Sequence, residues 1–368
     1  LLKRSSQMGK QILPAAHVIC DRINNCLRQR TSEFFERPQE QEETMTKIDL
    51  ITGILGSGKT TFLRHYAKYL LAQGQRIAIL ENDFGAVNVD MLMLQDLKCE
   101  NCRLEMVSGG GDADCHKRRF KTQLIALGMQ HFDRVLIEPS GIFDMDEFFD
   151  TLYESPLDQW FSIGSILTIV DATMPEVLSG EMEYLLGSEA ACCGKLLLSK
   201  LKAGEPAEEA SARVLAHLNR ALAGIQCRRQ FRLSDLLAKQ WDDLTPKDFA
   251  AIQNAGYRSS SYVKQFHMET LQSEVHYFMH VRIPQEQIVP VVQQVMQDTE
   301  CGTIFRIKGS LPVGDDGWLK INATREKIET APVPDGQAVL IVIGEGVQRE
   351  KIDAVLRPLN TDPEYVSV

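Results

Sequence analysis

Eight residues, GILGSGKT at positions 53–60, constrain this chain more than any other feature. They fit the pattern G-x-x-x-x-G-K-[ST], follow an apolar run and open an amphipathic one. Such a loop binds phosphate where a strand feeds a glycine-rich turn into a helix N-terminus. Backbone N–H groups and the positive end of the helix dipole then converge on the anion. Gly53, Gly56 and Gly58 let the loop bend, with Ser57 and Thr61 as further phosphate-loop contacts. Lys59 is placed to span the β- and γ-phosphates, and Thr60 to offer its hydroxyl to Mg2+.

The surrounding pattern supplies the strand and the helix. KIDLITGI (47–54), RIAILEN (76–82), RVLIEPS (134–140), SILTIVDA (165–172) and KLLLSK (195–200) are dense in Ile, Leu and Val. Near-continuous apolar runs of this length suit strands buried on both faces of a parallel sheet. Between them, 60–72 places Leu63, Tyr66, Ala67, Leu70 and Leu71 on one helical face and stops at Gly74. The segment 206–223 opens at Pro206, repeats Val214, Leu215, Leu218 and Leu222, and ends at Gly224. Alternating β and α elements predict an α/β fold, a doubly wound, mostly parallel P-loop NTPase sheet.

Near 256–265 the pattern becomes polar (GYRSSSYVKQ). Beyond it, 274–283, 303–311, 318–323 and 338–344 read as strands, with helices at 285–298 and 349–356. The expected organisation is therefore an extension at 1–44, a nucleotide-binding domain at 45–255, a linker at 256–270 and a smaller C-terminal α+β domain at 271–368. The stretch 1–44 is polar in its second half and has no continuous apolar core of a signal peptide. It is expected to be a disordered extension without function, with Met45 as the natural start.

A length of 368 residues accommodates two domains and a sizeable core. The net charge of −10 argues against wholesale nucleic-acid binding. No apolar run approaches the ~20 residues of a membrane span. Nine cysteines at no repeating interval point to a reducing compartment, hence a cytoplasmic location, with thiols buried, reactive or metal-binding.

Two further motifs, ENDFG (81–85) and IEPSG (137–141), end apolar strands. With GILGSGKTT and the C-terminal IFRIKGSL and GWLKINA, they resemble the CobW-like branch of the CobW/HypB/UreG P-loop GTPases over about 47–357. The resemblance implies GTP and Mg2+ as ligands, slow hydrolysis, and the handling of Zn2+, Co2+ or Ni2+ for a client metalloprotein. A nucleotide-dependent homodimer is a further implication, with neither nucleic acid nor membrane as a partner. Glu138 would orient a water on Mg2+, and Gly141 would offer its N–H near the γ-phosphate; with Lys59 these are the candidate catalytic residues. Glu81 and Asp83 would bind Mg2+ indirectly or join a transition-metal site, unless they only cap a loop. A simple turn is the plain alternative for the PSG stretch.

The chain departs from that family twice. Where the family reads [NT]-K-x-D to recognise guanine, Ser199-Lys200-Leu201-Lys202 stands. Lys200 retains a stem to lie across a base and Ser199 a local hydrogen bond. Lys202 has no acceptor for guanine N1 and N2, so ATP use stays open beside GTP. The second departure is VSGGGDADC (107–115), in the place of the family's G-C-x-C-C. Asp112 and Asp114 align with two thiolates, and Cys115 with the third. Carboxylates favour harder ions than thiolates do, yet one Cys and two Asp still suit Zn2+ or Co2+. The competing reading makes Asp114 a helix N-cap and Asp112 a partner of the helix dipole; both readings remain open. A first-turn position would make Cys115 a better ligand or a more reactive thiol. Lys117-Arg118-Arg119 reads as a solvated face or a partner contact. Cys99 and Cys102 form a C-x-x-C that could assist metal transfer. Cys192 and Cys193 read as core, and His276 and His280 as ordinary strand residues.

Overall fold

Seven strands make the first sheet: β1 (Thr46–Thr52), β2 (Ile77–Asn82), β3 (Cys102–Val107), β4 (Arg134–Pro139), β5 (Phe161–Asp171), β6 (Lys195–Ser199) and β7 (Leu236–Ala238). Their order is β3-β2-β4-β1-β5-β6-β7, with every pairing parallel. The computed structural model describes residues 45–82, 94–107, 113–141, 145–202, 204–266, 274–314, 317–324, 327–333 and 336–367. Because all seven strands run the same way, the segments after β1, β2, β4, β5 and β6 leave one edge of the sheet together. That edge is where open α/β sheets bind ligands.

Both faces are covered. One carries Ile51, Ile77, Ile79, Leu136 and Ile169 against helix α1 (Lys59–Ala72). In α1, Leu63, Tyr66, Ala67 and Leu70 are buried as the sequence predicts; Phe62 is buried with them, whereas Leu71 is only half-buried. Each such large side chain contributes roughly 1.5–3 kcal/mol on burial. The other face carries Ile48, Leu50, Leu80, Val135 and Ile137 against α2 (Ala113–Gly128), α3 (Met145–Leu152), α4 (Leu157–Trp160), α5 (Gly180–Ala191) and α6 (Ala207–Gly224). The first layer is completed by Phe249 and Ile252 of α7 (Pro246–Gln253). Side chains alternate along a strand. Glu138, two residues after Leu136, therefore emerges on the α1 face.

A buried polar group pins β1 to its neighbours. The Asp49 carboxylate accepts from Arg134 (2.5 Å), the Tyr66 hydroxyl (2.7 Å) and the Ser165 N–H (2.7 Å). Burial pushes the Asp49 carboxyl above its ordinary range, and the guanidinium opposes that shift. Gly164 is required beside it, since a Cβ there would stand 2.5 Å from Asp49 Oδ1 and 2.6 Å from the Arg134 guanidinium.

The second sheet comprises β8 (Glu274–Met279), β9 (Thr303–Val313), β10 (Gly317–Thr324), β11 (Ile328–Val333), β12 (Val339–Glu345) and β13 (Val366–Ser367). Its order is β11-β10-β9-β12-β8-β13, antiparallel throughout. Helices α8 (Gln285–Gln297) and α9 (Arg349–Leu356) cover one face, packing Ile288, Val292 and Ile352 on Ile307, Leu340 and Val342. The other face presents Val339, Ile341 and Ile343, with Tyr277 and Met279, to Leu55 of the phosphate loop. This explains why β12 is apolar at consecutive positions.

The stretch expected as a linker is fastened to the first domain over 256–266. Gly256 O accepts from Ile166 N (2.9 Å), Arg258 N donates to Cys192 O (3.0 Å) and Val263 N to Ile225 O (2.8 Å). Tyr262 and Phe266 pack on Tyr184. Residues 267–270, the rest of that stretch, and the extension 1–44 lie outside the described residues. No helix among the described residues is long and apolar enough to cross a membrane.

Candidate nucleotide site

The segment 53–58 turns from β1 into α1 as its spacing predicts. Ser57 N donates to Ile54 O (3.1 Å), and Phe62 N makes the first helical bond to Gly58 O (3.1 Å). Gly58, at φ +99°, is in a conformation that side chains disfavour. At Gly53, φ +138°, a Cβ would lie 2.4 Å from Ile169 O. Lys59 is buried, and its ammonium donates to Gly53 O (2.8 Å). Ser57 is 1% exposed, and its hydroxyl meets no partner among the described residues. An orphaned buried hydroxyl just before the N-terminus of α1 fits a loop completed by a phosphate oxygen. Gly56 has φ +79°, and Thr61 is exposed on the first turn of α1.

Thr60 and Glu138 meet: the threonine hydroxyl donates to Glu138 Oε1 at 2.9 Å, with both residues buried. Glu81 lies in register beside Glu138 on the neighbouring strand and is 3% exposed. A hydroxyl and carboxylates at one strand end make the oxygen set a hard divalent cation accepts. Thr60 and Glu138 would hold Mg2+, which would neutralise phosphate charge. Gly141 sits against the phosphate loop, where a Cβ would stand 2.5 Å from Leu55 N. That close approach gives the glycine a steric reason that a simple turn does not require. Asp83 lies outside the described residues.

The base-reading loop divides into a retained half and a changed half. Ser199 Oγ donates to Ser57 O (2.6 Å), tying the end of β6 to the phosphate loop. Lys200, at φ +53°, pairs with Asp171 Oδ2 (2.5 Å). The other Asp171 oxygen accepts from the Thr173 N–H (2.8 Å) and hydroxyl (2.7 Å). Asp171, which carries no assigned role in the sequence reading, thus holds Lys200 in place. Lys202 is exposed.

The DADC segment is reached in part. Helix α2 begins at Ala113, so Asp114 is its second residue rather than its N-cap. Asp112 lies outside the described residues. Cys115 is half-buried in the first turn, and His116 is buried beside it. Lys117 is half-buried, while Arg118 and Arg119 are exposed, as a solvated face would be. Cys99 and Cys102 close a tight turn through Cys102 N to Cys99 O (3.1 Å). Cys99 is exposed, whereas Cys102 faces the core, and burial pushes its thiol up to about 12. The pair is not presented jointly as ligands. His276 lies on β8, but His280 follows it at φ +55°, which ends the strand alternation. Among the described residues, the three side chains whose ligand atoms lie within 4.8 Å of one another are His280, just after β8, and Asp362 and Glu364, in the turn before β13.

One site residue escapes the sequence reading. Glu189 on α5 reaches under the phosphate loop, where Oε2 accepts from Gly53 N at 2.6 Å. It is 1% exposed, and its Oε1 meets no partner among the described residues. Burial pushes the carboxyl up to about 8, against the pull of the Lys59 charge. The available signal was a carboxylate set among small and apolar residues, LLGSEAACC.

A family model described as CobW/HypB/UreG, nucleotide-binding domain, matches residues 47–230, half of the chain. Zinc chaperone YjiA of Escherichia coli (strain K12) is 28% identical over 179 residues, 47% of this chain and 54% of its own. Zinc chaperone YeiR of the same strain is 34% identical over 131 residues, 34% of this chain and 38% of its own. The chain thus spans about half the length, or less, of these curated relatives. The crystal structure of Zn(II)-bound YjiA GTPase from E. coli is 19% identical, covers 86% of this chain and 99% of that one, and superposes with a TM-score of 0.30. With the parallel sheet order and the phosphate loop, the family match places this chain in the CobW/HypB/UreG family, to which it belongs.

Proposed function

We propose that this protein binds and slowly hydrolyses GTP with Mg2+, and couples the nucleotide state to handling a divalent metal (Zn2+, Co2+ or Ni2+) for a client metalloprotein. The observation that carries the reading is the Thr60–Glu138 hydrogen bond beside the buried Lys59. It brings a hydroxyl and a carboxylate together beside an ammonium, a set that would suit Mg2+ and a phosphate. Phosphoryl transfer from GTP to water needs mainly positioning and charge neutralisation. The loop N–H groups and Lys59 would hold the phosphates, Glu138 would orient the attacking water, and the Gly141 N–H would lie near the γ-phosphate. None of these groups is a strong base, so a dimer or client is expected to raise the rate. Location in the cytoplasm is part of the same proposal.

Asp112, Asp114 and Cys115 would form the metal locus, with Glu81 and Asp83 at the neighbouring strand end. The start of α2 at Ala113 favours a second reading, in which the aspartates serve the helix terminus and the protein is a nucleotide-dependent switch without metal cargo. Competition with a chromophoric chelator, with and without GTP or ATP, separates the two. Zn2+ or Co2+ binding tighter than micromolar that is lost in Cys115→Ala supports metal handling; its absence supports the switch. Unchanged turnover in Lys59→Ala would refute both.

A further inference from the structure

We propose that Glu189 is a positioning residue of the phosphate loop that works as a neutral carboxylic acid, so that its ionisation at alkaline pH expels the nucleotide. The inference rests on the nucleotide-binding reading above and extends it to a residue outside the loop.

Glu189 is joined to the loop by a short relay. Its Oε2 accepts the Gly53 N–H at 2.6 Å, and the carbonyl of the same glycine accepts the Lys59 ammonium at 2.8 Å. The carboxyl therefore orients the first glycine of the loop, and that glycine steadies the lysine. Its backbone is anchored too: Glu189 O accepts from the hydroxyls of Thr52 (3.3 Å) and Thr168 (3.2 Å), which also contact each other at 2.8 Å. The backbone that carries the side chain is thus tied to β1 and β5.

Two observations assign the protonation state. The carboxyl is almost wholly enclosed, and Oε1 has no hydrogen-bond partner among the described residues. An ionised oxygen left bare in such a place is costly, whereas a carboxylic acid loses much less. Among the described residues, Lys59 is the charged group acting on it; the flanking strands contribute the neutral hydroxyls of Thr52 and Thr168. The balance lies on the neutral side up to about pH 8. A bound triphosphate adds negative charge above the loop and occupies Lys59, so it opposes ionisation further. By linkage, nucleotide binding above that pH takes up one proton from the buffer, and affinity falls as pH rises.

The test is nucleotide affinity of the full chain with Mg2+ between pH 6.5 and 9, by fluorescent GTP analogue and by calorimetry in buffers of different ionisation enthalpy. For the unsubstituted protein, the dissociation constant should be flat below pH 7.5 and rise about tenfold by pH 9, with up to one proton taken up. Glu189→Gln keeps an acceptor for Gly53 N–H and cannot ionise, so it should bind as tightly at pH 7 and show a flat profile. Glu189→Ala removes the acceptor and should bind weakly at every pH, while circular dichroism verifies folding. Parallel profiles for the unsubstituted protein and Glu189→Gln would overturn the proposal while leaving nucleotide binding intact. Absence of binding at any pH in the unsubstituted protein would instead overturn the underlying reading, and this proposal with it.

Discussion

Gly141→Ala is the sharpest probe of how the two halves of the site fit together. A Cβ at Gly141 would stand 2.5 Å from Leu55 N, 2.7 Å from its Cα and 2.8 Å from its Cβ. Non-bonded carbons settle at about 3.5–4 Å, so one methyl overlaps the phosphate loop by about 1 Å. The clash falls on backbone, which has no rotamer to change. Leu55 cannot retreat easily, because its side chain packs on the cluster of Val339, Ile341 and Ile343 in the second sheet. Overpacking of this kind costs about 1–3 kcal/mol. If the phosphate loop yields, that cost is felt when the loop must close on a triphosphate, and affinity should fall roughly 5- to 150-fold. If the segment carrying Gly141 yields instead, the affinity loss will be smaller but the stability loss will remain. Titration with a fluorescent GTP analogue and urea unfolding of the same preparation measure the two costs. A variant within twofold of the parent in affinity and unchanged in unfolding midpoint would show that this contact does not exist in solution.

Three other outcomes are expected. Asp49→Asn leaves Arg134 as a buried unpaired charge and should cost about 3–5 kcal/mol in urea unfolding, with a loss under 1 kcal/mol counting against the buried pair. Burial in the folded state pushes the Glu189 carboxyl from its ordinary 4.5 up to about 8, so the folded state holds its proton more tightly and stability drains away as pH rises through that window. Relative to Glu189→Gln, the unsubstituted protein should lose about 1 kcal/mol per pH unit between pH 5.5 and 7.5, and parallel stability profiles would contradict this. Lys202→Asp restores an acceptor at the base-reading position, so the ratio of GTP to ATP affinity should rise at least about tenfold; an unchanged ratio would place base recognition elsewhere.

The C-terminal sheet packs against the phosphate loop through Leu55. Leu55 lies between Gly141 and β12, so a loop that shifts on binding phosphate presses directly on the second sheet. Leu55→Ala should leave the fold intact while weakening any effect of nucleotide on the C-terminal domain, read by hydrogen exchange at Val339–Ile343.

What the sequence determined by itself was the set of strands and helices whose surroundings are symmetrical. The central strands β1, β2, β4, β5, β6 and β12 announce themselves as apolar runs because both faces are covered. The phosphate loop is equally legible, since its glycines, lysine and threonine act through local backbone geometry at fixed spacing. The strands that escaped, β3, β7, β11 and β13, are the edges of the two sheets. There one side meets water, so Arg103 and Glu105 in β3, or Glu329 and Thr330 in β11, dilute the pattern. Tertiary structure alone decided the long-range meetings: Thr60 with Glu138, Gly141 with Leu55, and Glu189 with Gly53, across 78, 86 and 136 residues of chain. Local patterning carries no record of such pairs. They arise because parallel strands deliver distant segments to one edge of the sheet, and because a helix behind that edge can bury a carboxyl beneath the loop.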